Sequence, residues 1–264
     1  MYDFAYHRPS SAADAAALLA KNGDAKAVAG GMTLIPTLKQ RLAQPSDLVD
    51  LGAATDLKGI KLEGGGITIG AMTTHAEVAR SADVQKTIPA LAHLAGGIGD
   101  PHVRNRGTIG GSVANSDPAA DYPAAVLGLN ATIRTNKREI KADDFFKGMF
   151  ETALQEGEII TAIHFPKPEK AGYSKFPNPA SRYAIVGVMV AKTAGGLRVA
   201  VTGAGPCAFR SKELEAALGG NFSADTAKGV KVNANGFNND LHATAAYRAH
   251  LVSVMAARAV AAAS

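Results

Sequence analysis

The chain has 264 residues, 47% of them apolar and 19% charged, with a net charge of +5 and one cysteine. This is enough for one large domain or two to three smaller ones. A mild, dispersed positive excess without a basic block, no Trp and only 6% aromatics argue against nucleic-acid binding, and Cys207 alone can neither form an internal disulfide nor ligate a metal cluster.

A reducing, cytoplasmic setting is expected from that cysteine count. The start, MYDFAYHRPSS, lacks the apolar stretch of a signal peptide, and no run of 18 apolar residues predicts a membrane span.

In chain order, Ser11 with Asp14 resembles a capping box and opens a helix that stops at Asn22-Gly23. AKAVA (25–29) is a short apolar run. It is followed by Gly30-Gly31 and a helical stretch, TLIPTLKQRLA, with Pro36 early. DLVDL (47–51) reads as a strand, so residues 1–51 form a small α/β unit. ITIGA alternates as a strand does, and Thr73 or Thr74 caps the next helix. PALAHLAGGIGD predicts a helix ending in glycines, and an apolar helix or turn is expected near 118–128. ATIRT, REIKA and EIITAIHFP read as strands. PKPEKAGYSKFPNP (166–179) has four prolines and is expected to be a linker. Two strands joined at Gly195-Gly196 follow, then a short helix in SKELEAALGG and a long C-terminal helix.

Two glycine loops each read either as a plain turn or as an anion site. In AGGMTLIP, glycines leave no Cβ in the way and a helix begins at once. Several backbone N–H groups therefore lack intrahelical partners and form an anion site suited to phosphate. Gly107-Thr108-Ile109-Gly110-Gly111-Ser112 repeats the theme with two hydroxyls. Two amide-rich loops are expected to grip the two phosphates of one dinucleotide. Neither matches a P-loop or G-x-G-x-x-G. His75, His93, His102, His164, His242 and His250 show no metal-ligand spacing and read as structural or surface residues. Arg104 and Arg106 flank the second loop as phosphate contacts, partner contacts or solvated charges.

AGGMTLIPTLKQRLAQP, ITIGAMTTHAEV, DPHVRNRGTIGGSVANSDPAADYPAAVLGL and the tail DLHATAAYRAHLVSVMAARAV together resemble the FAD-binding medium subunit of the molybdenum hydroxylase family, the carbon monoxide dehydrogenase and xanthine dehydrogenase type. The resemblance spans essentially the whole chain. It implies an α+β fold: a two-subdomain FAD cradle of the vanillyl-alcohol-oxidase type (1–55 and 56–168), then a three-stranded antiparallel sheet with a helical bundle (169–264). It implies non-covalent FAD held by Ala29, Gly30, Gly31, Met32, Thr33, Leu34, Ile35 and Pro36 and by Thr108, Ile109, Gly110, Gly111 and Ser112. Many relatives carry Asn at the position of Ser112, so amide contact is expected there ahead of side-chain contact. The same resemblance places Asp121 on FAD hydroxyls, Ile160 and Lys175 at the flavin end, and Tyr183 over the isoalloxazine face.

The implied role is electron transfer. [2Fe–2S] clusters in one partner subunit would deliver electrons from a molybdenum-cofactor subunit, and FAD would pass them to NAD, a quinone, oxygen or another soluble acceptor. An (αβγ)2 assembly is usual in that family. No catalytic acid or base and no metal ligand is nominated in this chain. Two alternatives stand beside this reading: a self-sufficient flavin oxidase of the vanillyl-alcohol type, and a basic, non-enzymatic binding module.

Overall fold

The computed structural model describes residues 1–264. The chain begins with β1 (Ala5–His7), α1 (Ala12–Lys21), β2 (Lys26–Val28), α2 (Leu34–Lys39) and β3 (Asp47–Asp50), which build a three-stranded parallel sheet in the order β1-β3-β2. Ser11 caps α1, its hydroxyl accepting from the Asp14 amide at 3.1 Å. The helix turns Ala15, Ala16 and Leu19 inward onto Val49. Met72 and Ile159, from later in the chain, complete this small core, so the first unit is not closed by its own residues. β1 is an addition to the expected helix–strand–helix–strand order; three residues are too few to display an alternation.

The second unit carries β4 (Ile60–Glu63), β5 (Gly66–Gly70), α3 (His75–Arg80), α4 (Ala82–Thr87), α5 (Pro89–Gly96), α6 (Pro101–Arg104), α7 (Ile109–Asn115), α8 (Tyr122–Gly128), β6 (Thr132–Thr135), β7 (Glu139–Lys141), α9 (Ala142–Phe145), β8 (Phe146–Gly148), β9 (Glu151–Thr152) and β10 (Ile160–Pro166). Five of these strands form an antiparallel sheet, β4-β5-β10-β6-β7. Its helices start where capping chemistry predicts. Thr74 accepts from the Glu77 amide, and Glu77 accepts from the Thr74 amide, a complete capping box. Pro89 and Pro101 open α5 and α6 at positions where a missing N–H costs nothing. α8 is buried along its whole length.

The third unit has β11 (Lys170–Pro177), β12 (Ala184–Thr193), β13 (Gly196–Thr202), β14 (Phe209–Arg210), α10 (Lys212–Gly220), α11 (Ala224–Gly229) and α12 (Ala245–Ala261). The segment expected as a linker is instead largely β11. It pairs antiparallel with β12 from Lys170 opposite Lys192 to Pro177 opposite Ala184. β11 lies at the edge of its sheet, where terminal prolines do not break a ladder. The three expected long strands are present, and the two-residue β14 adds a fourth. The turn between β12 and β13 falls at Gly195-Gly196, with Gly196 at φ +102°. Arg248 of α12 is buried and ties the helix to the sheet and its loop, donating to Ile185 O, Gly203 O and both oxygens of Asp240. No helix is long and apolar enough to cross a membrane.

Candidate functional site

The first glycine loop leaves β2 and runs into α2. Gly31 has φ +72°, and a Cβ there would meet Ile35 at 2.8 Å. Gly30 has a different reason to be glycine: a Cβ would lie 2.1 Å from Arg106 O and 2.8 Å from Gly107 Cα. The two glycine loops thus press backbone against backbone. The α2 helix is only six residues long, and Thr33 gives it no side-chain cap. Its ladder begins with Ile35 N donating to Gly31 O. The N–H groups of Gly30, Gly31, Met32, Thr33 and Leu34 find no acceptor within the chain.

The second loop differs from expectation. Thr108 caps α7, its hydroxyl accepting from Gly111 N and its carbonyl from Ser112 N. Ile109 N donates to Thr73 O and Gly110 N to Ala71 O. The amides of residues 109–112 are therefore spent inside the chain. Gly110 is held against the end of β5, where a Cβ would come within 2.5 Å of Ala71 Cβ and 2.7 Å of its carbonyl oxygen. Glycine here serves close packing. What the second loop offers an anion is the Thr108 N–H and the Ser112 hydroxyl, both without an internal acceptor. At Ser112 the side chain, rather than the amide, is free.

Both loops line one cavity of about 590 Å³, within the usual size of a ligand pocket. Of the residues implicated by resemblance, all line it except Ile35, Pro36, Ile109 and Lys175. Ile109 is fully buried in the core of the second unit. Lys175 is a clamp. Its ammonium donates to Gly97 O at 2.9 Å, to Arg182 O at 2.8 Å and to the Asp121 carboxylate. All three of its protons are thus engaged, and it contributes position to the site rather than a free charge.

Asp121 is 4% exposed and also accepts from the Tyr173 hydroxyl at 2.5 Å. Burial pushes its carboxyl pKa up, with Lys175 and Tyr173 working against that rise. Tyr183 is 43% exposed on the cavity wall. Burial, and then the charge of Asp117, raise its pKa. Arg104 is not on the wall; it donates to Ile98 O and Gly99 O. Arg106 lines a smaller cavity behind the first loop.

Among the wall residues not singled out from the sequence for this site, His75, Asp117, Phe150 and Glu158 bear on its chemistry. His75 is 5% exposed, lines the cavity, and has an enclosed, unpartnered Nδ1. It is neither a surface residue nor one satisfied in the core. Asp117 keeps one carboxylate oxygen on Ala119 N and is raised in pKa by burial. Phe150 sits at φ +57° with its amide on Ser116 O; Ser116, at φ +47°, is likewise left-handed. Such conformations are costly for residues with a Cβ and cluster at functional sites.

Glu158 accepts from Arg138 Nε at 3.0 Å, the Thr135 hydroxyl at 2.7 Å and Gln155 N at 2.9 Å. Burial opposes its charge, but these bonds outweigh it and bring its pKa from 4.5 down to about 2. A depressed acid stabilises the fold fully above its unfolded value, and that contribution is lost as pH falls through the folded one. Glu158→Gln is therefore expected to lower Tm at pH 7. The gap to the parent should narrow between pH 4.5 and about 2, which thermal unfolding across that range checks.

These features fit a flavin dinucleotide. Five consecutive free amides meet an anion's needs, and Gly111 keeps the two loops close, since a Cβ there would lie 3.0 Å from Thr108 Oγ1 and 3.3 Å from Ala29 Cβ. Fold and site together define a two-lobed nucleotide cradle with a third unit bracing one wall.

Residues 2–168 match the model of the FAD binding domain in molybdopterin dehydrogenase. The chain is 35% identical to the nicotine 6-hydroxylase medium subunit of Paenarthrobacter nicotinovorans, over 97% of this chain and 95% of that one. It is 38% identical to the carbon monoxide dehydrogenase medium chain of Hydrogenophaga pseudoflava, over 78% and 77%. A solved carbon monoxide dehydrogenase structure from Hydrogenophaga pseudoflava superposes with a TM-score of 0.88 at 36% identity, covering 99% of this chain and 97% of that one. The chain belongs to the FAD-binding medium-subunit family of the molybdenum hydroxylases.

Proposed function

We propose that this chain holds one FAD non-covalently in the cavity between its first two units, as the electron-transfer subunit of a heteromeric molybdenum hydroxylase. The observation that carries the reading is the run of unpaired amides from Gly30 to Leu34 on the wall of that cavity. They receive the diphosphate, aided by Thr108 N–H and the Ser112 hydroxyl. Tyr183 flanks the ring system, and Ile160 supplies apolar wall. Bound FAD supplies the redox chemistry, taking electrons from the [2Fe–2S] clusters of a partner subunit and passing them to an external acceptor.

The protein's contribution is binding and shielding. The C-terminal unit contributes Ser181, Arg182 and Tyr183 to the wall, and Lys175 fixes that segment against Gly97, which caps the end of α5. Units 1–55, 56–168 and 169–264 are proposed as the domains, a trimer dimerised as (αβγ)2 as the assembly, and the cytoplasm as its setting.

The purified complex should be yellow. Acid precipitation is expected to leave the flavin in the supernatant and to yield one FAD per chain. Colour retained in the pellet would mean a covalent bond and favour a self-sufficient oxidase. A colourless chain that takes up no FAD would overturn the reading altogether.

A further inference from the structure

His75 is the first residue of α3, directly after the Thr74 cap. Its ring is buried, yet neither ring nitrogen has a partner in the chain: Nδ1 is enclosed and unbonded, and the residue lines the cavity. Its place is enforced from two sides. The His75 N–H donates to Gly107 O at 3.0 Å. The ring then sits so close to Gly107 that a Cβ there would lie 2.6 Å from Nε2. Gly30 packs against the Arg106 carbonyl and, next to it, Gly107 Cα. Nε2 therefore stands against the second loop at Gly107, in the cavity that the first loop also lines. On the other side, Tyr122 stacks obliquely, ring centroids 5.3 Å apart, with a hydroxyl that is also unpartnered. A buried polar ring without hydrogen bonds is destabilising, and an acceptor entering the cavity would offset that cost.

We propose that His75 binds the diphosphate of the nucleotide directly, through Nε2, and gains a proton as it does so. The inference rests on the flavin reading above. Burial, helped by the charge of Arg104, holds the imidazole neutral, with its pKa down at about 4. A diphosphate brought alongside favours the charged form. The groups that face the ring are Arg104 from α6 and Tyr122 from α8, the latter raised in pKa by burial. Asp117 and Asp121 share the cavity, and burial raises both. Glu77, on the same helix, is turned to the Thr74 cap. Either aspartate could also take up a proton when an anion binds, so the test must isolate His75.

The full chain, freed of nucleotide, is titrated calorimetrically with FAD, ADP and riboflavin, in buffers of different ionisation enthalpy between pH 5.5 and 7.5. FAD and ADP should bind with uptake of a large fraction of one proton per site, and riboflavin, which has no phosphate, with none. FAD affinity should rise as pH falls, by up to about tenfold per unit. In His75→Gln, which keeps a donor but cannot titrate, that slope should flatten and FAD should bind about 10- to 100-fold more weakly, a loss of about 1.4–2.7 kcal/mol. As a check independent of the variant's folding, the imidazole nitrogen resonances of His75 in the parent chain should move from the neutral to the charged pattern when ADP is added. Unchanged proton uptake in His75→Gln, or a His75 that stays neutral with FAD bound, overturns the proposal and leaves the flavin site standing. A parent chain that binds neither FAD nor ADP overturns both.

Discussion

Gly30→Ala is expected to empty the flavin site. The new Cβ would sit 2.1 Å from Arg106 O and 2.6 Å from its carbonyl carbon. The obstacle is backbone, so no rotamer change relieves it, and the two loops must part. Overpacking of this kind costs about 1–3 kcal/mol of stability. The effect on binding should be larger, because the displaced segment carries the five free amides. A loss in FAD affinity on the order of 100-fold or more, about 2.7 kcal/mol, is expected from fluorescence titration of the nucleotide-free chain. Gly219→Ala is the matched control. Nothing lies within 4 Å of its added Cβ, and it falls within α10, where alanine is worth roughly 0.5–1 kcal/mol over glycine. That variant should melt slightly higher and bind FAD as the parent does. If Gly30→Ala bound FAD normally, loop-to-loop contact could not be what shapes the cradle.

The contrast between the two glycine loops marks what was legible in the sequence. AGGMTLIP and RNRGTIGG both announce turns with little side-chain bulk, and both lie on the cavity. Their different use of amides is a long-range matter. Whether Ile109 and Gly110 have free N–H groups depends on the carbonyls of Thr73 and Ala71 at the end of β5, which no local pattern predicts. Secondary structure divides in the same way. The Thr74 capping box, the proline starts of α5 and α6, and the Gly195-Gly196 turn are local chemistry and can be read directly. β1, β4, β8, β9 and β14 are two to four residues long, too short to express a period of two. β11 is hidden by the prolines around it and by Pro177 at its end, which its place at the sheet edge makes tolerable.

His75 followed a cap, in a run that reads as ordinary helix. Its burial comes from Gly107 and Tyr122, more than thirty residues away in the chain. Resemblance singled out Asp121 and Lys175, each toward the flavin, but not their relation to each other. The carboxylate and ammonium are 54 residues apart in sequence and partner each other.

That relation carries the second large effect. Lys175→Met is expected to destabilise the protein by about 3–5 kcal/mol, the usual cost of removing one member of a buried ion pair, and to lower Tm by roughly 10 °C. Three acceptors lose their donor: Gly97 O, Arg182 O and Asp121. Asp121 keeps the Tyr173 hydroxyl but loses its only cation within salt-bridge distance. The sign of the pH dependence follows. Burial already raises the Asp121 pKa, and losing the lysine raises it further. An acid with a raised folded pKa weakens the fold as pH climbs above its unfolded value. The deficit of Lys175→Met should therefore be full at neutral pH and shrink as the solution is acidified and Asp121 takes up its proton. Adding Asp121→Asn removes the stranded charge, so the double variant should regain part of the lost Tm at pH 7, giving a positive coupling in the cycle. FAD affinity should not recover with it, since Arg182 and Tyr183 would still lack the clamp that fixes their segment against α5. Recovery of binding alongside stability would mean that the ion pair acts on the site through charge alone; recovery of neither would show that the carboxylate was never stranded.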